Sequence, residues 1–328
     1  MGSITKLRKH EVAELRGHEV DRAIRLSPLV CSAAIALAAV ALSGLALAAG
    51  THAEADTKAG AIERKSGTVR TVDLWDGVKI DFVWCPPGSF MMGSSPAEQE
   101  WAIRSLPAKL PAATRDATEK AIRNEGPRHR VTFTKGFLMA KTEVTQAQWK
   151  QVMGNNPSKF TEAGPDAPVE TVSWNDCRAF LKKLNELPAA RKRGIFRMPT
   201  EAEWEYACRA GTETAYYFGN DAGKLGEYAW YGENSGIKTH PAAQKKPNAW
   251  GLYDMHGNVW EWCEDRYDSY TPGDGTDPHG PASGSGRVGR GGGWDDFDGD
   301  IRAAYRSYGR PADFKASPLG FRPVMVED

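Results

Sequence analysis

Past Thr212 the chain is punctuated throughout by glycine, asparagine, aspartate and proline, interleaved with aromatic residues, which excludes long helices and long uninterrupted strands from its last third. Glycine frees the backbone for turns, proline removes a ladder donor, and Asn and Asp bond their own backbone. The 328 residues carry 34 glycines, 20 prolines and 11 tryptophans. Since each tryptophan buries a large apolar area, the expectation is a loop-rich domain with a substantial core, built of short strands around buried tryptophans. No internal repeat divides it.

Ahead of this region the segments have clearer grammar. "TVRTVDLWDGVKIDFVWCPPGSFMMGSS" alternates apolar and polar residues around Asp76-Gly77 and Pro86-Pro87-Gly88, predicting two short strands and a turn. "PAEQEWAIRSLPAKLPAATRDATEKAIRNEG" has helical composition broken by prolines and no strong apolar stripe, predicting a surface insertion with one or two short helices. "TEVTQAQWKQVMG" and "SWNDCRAFLKKLNEL" each open on a Thr or Ser cap. Their apolar sets are Val144, Trp149 and Val152 in the first, and Cys177, Phe180, Leu181 and Leu184 in the second. "RMPTEAEWEYACRAG" predicts a third helix, with Thr200 as cap, Glu203 as the capping-box acid and Gly211 as the stop.

Lysine plus arginine equals aspartate plus glutamate, 42 each, so no net field draws in nucleic acid. Residues 1–28 hold six basic and four acidic side chains, and the run Leu29–Gly50 holds no charge. This reads as a secretory signal, with "HAEA" ending at Ala55 as the cleavage site, or as a membrane anchor. Either places the rest outside the cytoplasm, periplasmic or secreted, with contact to the membrane only through the N-terminal anchor. Cys31 lies early in the apolar run, which fits a lipoprotein poorly. The expected organisation is residues 1–55 as the address segment, 56–67 as a linker and 68–328 as the functional domain.

Seven segments then stand in order: "WCPPGSFMMGS", "EVTQAQW", "VSWNDC", "RMPTEAEWEYACRAG", "GLYDMHGNVWEW", "RVGRGGGW" and "LGFRP". Together, over about residues 70–326, they resemble the formylglycine-generating enzyme (sulfatase-modifying factor) family. The resemblance implies an α+β fold poor in regular structure, related to C-type lectins and carrying structural calcium. In the family's enzymes a cysteine pair holds copper and oxidises a sulfatase cysteine to formylglycine with oxygen.

Two sites follow from the resemblance. In "DMHGNVWE", Asp254 and Glu261 supply anionic oxygens and Gly257 and Val259 supply carbonyls, a hard-oxygen set of the kind calcium takes. On the residues alone, Asp254 capping a turn and Glu261 pairing with an arginine is the competing reading. The second site is the segment "RGGGWDDFDGDIRAAYRSYGRP". There the family's two cysteines would stand two and seven positions after the aromatic, where this chain has Asp296 and Ile301, and Gly293 replaces a serine. Soft Cu(I) selects thiolates, and neither residue replaces one, so copper is not expected. Trp260 matches an aromatic of the family's catalytic groove.

The remaining candidates are weaker. "DFDGD" lacks the first aspartate and the distal glutamate of a calcium loop. Arg302, Arg306 and Arg310 recur every four residues, suiting either an anionic ligand or salt bridges to the nearby aspartates, while Arg322 reads as structural. Cys85, Cys177, Cys208 and Cys263 allow three full disulfide pairings in an oxidising compartment, or Cys263 is a free thiol in the groove. No zinc-protease, P-loop, dinucleotide or serine-hydrolase motif occurs. Two functions result: a pseudoenzyme-like module binding a periplasmic protein, peptide or small molecule through a groove at Trp260, Trp294, Asp296, Arg302 and Arg306, or a maturation oxidase acting on a sulfatase or siderophore-like substrate through other residues.

Overall fold

The computed structural model describes residues 64–327 apart from 285 and 308, so the address segment and most of the expected linker lie outside the described residues. Among the described residues no helix is long and apolar enough to cross a membrane. Residues 64–67, expected as linker, already belong to the domain: the Gly67 amide donates to the Trp84 carbonyl and Arg64 lies 4.5 Å from the centre of the Trp84 ring.

Five strands form the main sheet, in the order β1 (Val69–Asp73), β2 (Lys79–Cys85), β5 (Phe137–Ala140), β11 (Val324–Val326) and β6 (Ile195–Arg197). Every pairing in it is antiparallel. β2 alternates strictly enough to serve both faces: Ile80 and Phe82 enter one core cluster, Val83 and Cys85 the other. β3 (Gly88–Met92) follows Pro86-Pro87 into a second sheet with β4 (His129–Phe133) and β8 (Gly275–Thr276). The early region thus has three strands where two were expected, because the proline pair ends one sheet and Gly88 starts another. A third sheet sets β7 (Trp260–Arg266) between β10 (Leu319–Gly320) and β9 (Arg287–Arg290).

The insertion folds as two helices, α1 (Pro96–Ser105) and α2 (Ala112–Arg123). α3 (Gln146–Met153) starts on Thr145, three residues beyond the Thr142 that opens the quoted segment, because Thr145 and Gln148 close a capping box. α4 (Trp174–Glu186) uses Ser173 and Asp176 in the same way and buries Cys177, Phe180, Leu181 and Leu184, the predicted face. A short α5 (Pro188–Arg191) follows. α6 (Glu201–Arg209) has the predicted Thr200–Glu203 box, but its left-handed stop is Ala210, one residue before Gly211.

α3 and α4 cover one face of the main sheet, where Trp149 stacks on Phe180 and Phe321 meets both rings edge-on. On the other face Trp204 and Tyr206 of α6, with Leu252 and Met255 from the segment before β7 and Cys263 of β7, pack against Val83 and Met139. The four cysteines are buried free thiols rather than disulfides. They act as small apolar residues, three in one cluster and Cys177 in the other.

Candidate functional site

β7 organises the site. Successive side chains of a strand point to opposite faces, so Trp260 and Trp262 line a cleft while Glu261 and Cys263 turn into the interior. Cys263 is fully buried, and burial pushes its thiol well above the ordinary range, so it is not a cleft nucleophile.

The cleft encloses about 70 Å³ between Trp260, Trp262, Tyr305 and Phe314, with Asp295 and Asp296 at one wall. Its roof comes from the insertion. Thr114 and Thr118, one turn apart on α2, present hydroxyls where simple packing would favour leucine or isoleucine. The next turn of the same face, Ala121 and Ile122, packs with Ala102, Leu106 and Tyr305. The insertion is therefore part of the cleft and not only a surface elaboration.

The segment after the three glycines is held from beneath. Gly291 and Gly292 have φ of 92° and 74°, a left-handed backbone that glycine adopts freely. A β-carbon on Gly292 would come within 2.1 Å of Ile301 Cγ2. Ile301 is fully buried with Tyr216, Leu225 and Ala229. Asp296 reaches the cleft wall but is only 1% exposed, and its Oδ2 accepts the Gly293 amide at 2.7 Å. The two positions that would bear copper thiolates thus hold an anchored carboxylate and a packed aliphatic chain. Gly292→Ala should lower stability by about 1–3 kcal/mol through this contact; a urea midpoint equal to that of the unaltered protein would refute the tight fit.

Three further expected groove residues stand elsewhere. Trp294 is 4% exposed, meets Phe160 edge-on and donates to the Ser317 carbonyl. Arg302 is fully buried in a two-point pair with Glu125 at 2.6 and 2.9 Å and also bonds Glu98 at 3.0 Å. These pairs tie both ends of the insertion to the glycine segment. Arg306 grips Glu201 at 2.5 and 2.8 Å and stacks over Tyr270. Burial opposes both charges, yet Glu125 and Glu201 hold the two guanidinium groups above their ordinary range. These two arginines pair with distant glutamates rather than the nearby aspartates, and each commits four of its five N–H donors to those glutamates and to backbone carbonyls. Arg290 extends the network to Glu201 and Glu205, and Arg209 also pairs with Glu205. Burial alone would raise the Glu205 carboxyl, but the two arginines outweigh it and hold it below the carboxylate range.

Behind Trp260 lies a buried carboxylate cluster. Glu261 is fixed at both oxygens by Arg322 at 2.6 Å, and its Oε2 also accepts the Trp204 indole at 2.7 Å. Oε1 therefore keeps one lone pair. Arg322 is the structural residue the sequence suggested, and it also donates to the carbonyls of Ala140, Tyr253 and Asp254. Asp254 has φ of 55°, and its Oδ2 accepts the Ala243 amide at 2.7 Å. Gly257 is required beside it, because a β-carbon there would meet the Trp230 carbonyl at 2.2 Å.

Glu143, in "EVTQAQW", is the residue sequence reasoning missed. It is fully buried, and both of its carboxylate oxygens, like Oδ1 of Asp254, have no hydrogen-bond partner among the described residues. Burial first, then the neighbouring Asp254 charge, pushes Glu143 well above the carboxylate range despite Arg322. Burial, helped by Glu261, pushes Asp254 up to about 6. Three buried carboxylates facing one guanidinium, with three orphaned oxygens, fit a bound cation. Among the described residues no group of three or more His, Cys, Asp or Glu side chains is spaced to hold a metal by itself.

The sequence is 36% identical over 196 residues to the formylglycine-generating enzyme of Streptomyces coelicolor, which covers 55% of this chain and 58% of that enzyme's length. It is 29% identical over 296 residues to the inactive C-alpha-formylglycine-generating enzyme 2 of Bos taurus, covering 77% of this chain and 90% of that protein. Among solved structures, Treponema denticola variable protein 1 superposes with a TM-score of 0.64 at 30% identity, over 78% of this chain and 98% of that one. The sulfatase-modifying factor enzyme 1-like domain matches residues 78–326, and the chain belongs to that formylglycine-generating-enzyme family.

Proposed function

We propose that this chain is a non-catalytic member of its family, exported from the cytoplasm and stabilised by calcium, which binds a protein segment, peptide or small molecule in the cleft beside Trp260 and Asp296. The observation that carries this reading is the pair Asp296 and Ile301: a carboxylate spent on the Gly293 amide and an aliphatic chain sealed in the core. Neither supplies a soft donor for Cu(I). Similarity to an inactive relative along most of its length points the same way.

Calcium would be held by Glu143, Asp254 and the free lone pair of Glu261 together with loop carbonyls. Its charge would balance the orphaned carboxylates. Because Trp260 and Glu261 are consecutive, a loop fixed behind the strand also fixes the aromatic wall of the cleft in front of it. The cleft offers aromatic faces, hydroxyls and carboxylates, a mixture suited to an amphipathic group of side-chain size.

The test is to incubate pure protein with Cu(I), oxygen and a cysteine-bearing sulfatase peptide, then weigh the peptide. The expected result is unmodified cysteine and no stoichiometric copper on the protein. Formylglycine in the peptide would overturn the reading and favour an oxidase working through other residues.

A further inference from the structure

The molecule has no net charge, yet one face is strongly basic. Where α5 ends, Arg191, Lys192 and Arg193 are all exposed, and no ion pair among the described residues engages them. Gly194 then turns the backbone into β6, packed so closely on β11 that a β-carbon would meet the Val326 carbonyl at 2.3 Å. This places the basic run beside the end of β11, where Glu327 pairs with Arg64 and Arg70. Burial first, then the nearby charges of Arg64 and Arg193, holds the Arg70 guanidinium below its ordinary range, so the two basic segments feel each other's field. Lys65 is exposed next to Arg64. Among the described residues six basic side chains meet here, with Glu327 between them. The end of α4 adds exposed Lys182 and Lys183 against Glu186.

Two aliphatic residues stand exposed within the same segments, Ile195 at 58% and Val69 at 48%. Cationic side chains mixed with exposed aliphatics suit the headgroup region of an anionic bilayer, where charge attracts and the aliphatic groups enter the boundary. Chain connectivity gives the second argument. The uncharged run Leu29–Gly50 is joined to Arg64 by residues 51–63, which reach at most about 45 Å even when fully extended. If that run sits in a bilayer, the part of the domain nearest the membrane is the face bearing Arg64.

We propose that the face formed by Arg64, Lys65, Arg70 and Arg191–Arg193 docks on anionic phospholipid headgroups, holding the domain against the membrane with its cleft in a set orientation. The proposal rests on the anchor form of the export reading. Each basic residue contributes roughly a five-fold preference for an anionic surface at low salt, and screening removes it as the Debye length shortens.

The test uses the full chain in nanodiscs of phosphatidylcholine alone or mixed with phosphatidylglycerol, with amide hydrogen exchange followed across residues 188–197. At 50 mM salt, exchange there should be several-fold slower on the anionic discs. The difference should vanish at 500 mM salt and in R191E/K192E/R193E, whose exposed positions leave the fold intact. Equal exchange on both discs, or slowing on both alike, would overturn the docking surface. Slowing by soluble heparin with none by anionic discs would overturn it by giving the face to another polyanion. A chain that incorporates into neither disc sinks the anchor reading itself, and the docking with it.

Discussion

Arg322→Met should lower stability by about 3–5 kcal/mol, the range for breaking a buried ion pair by removing one partner. Arg322 is fully buried and holds both oxygens of Glu261 while tying the carbonyls of Ala140, Tyr253 and Asp254 to one centre. Without it, Glu143, Asp254 and Glu261 face one another with no guanidinium between them, which low-dielectric surroundings make costly. Calorimetry should show a melting temperature lower by roughly 10 °C for a domain of this size. The double variant R322M/E261L should recover part of the loss, because it removes the one carboxylate that Arg322 held at both oxygens, while Glu143 and Asp254 remain. A single variant within about 1 kcal/mol of the unaltered protein, or a double variant no better than the single, would show that the pair does not hold the cluster together.

That network also marks where sequence reading stops. The caps of α4 and α6 are legible because each joins residues three apart, as Ser173 and Asp176 are, whereas the α3 cap lies at Thr145 and not at the Thr142 that opens its segment. Glycine positions were legible as motif letters, but their reason, the contact between Gly292 and Ile301, exists only in the fold. The arginines were visible as a four-residue spacing that suggested pairing with the neighbouring aspartates. The partners lie 177 residues away for Arg302 and 105 for Arg306, and for Arg322, which stands outside that spacing, 61. Such pairs are set by which strands adjoin, and no local pattern encodes them. Glu143 was hidden for the same reason. In sequence it reads as a polar residue before a helix, and only the return of β11 and the 253–254 turn makes it a buried carboxylate beside Asp254.

Chelation offers the second large effect. At calcium a hundred-fold above its dissociation constant, binding adds about 2.7 kcal/mol to stability. Stripping the ion with EGTA should therefore lower the melting temperature by roughly 5–10 °C, and calcium but not magnesium should restore it. The stripped protein carries a second signature. Asp254, pushed up to about 6 by burial, binds its proton more tightly folded than unfolded, where an aspartate titrates near 4. Glu143 is displaced in the same direction. A carboxyl raised in the folded state stabilises the fold when protonated, and that stabilisation fades as pH rises from about 4 through about 6. EGTA-treated protein should accordingly melt higher at pH 5.5 than at pH 7.5 and exceed the trend shown by an E143Q/D254N variant, whose neutral amides remove the titration. With calcium bound the order should reverse, because protons then compete with the ion for the same oxygens. A melting temperature indifferent to confirmed removal of calcium, with the same pH trend in both states, would remove the cation from this cluster and leave its orphaned oxygens to protons alone.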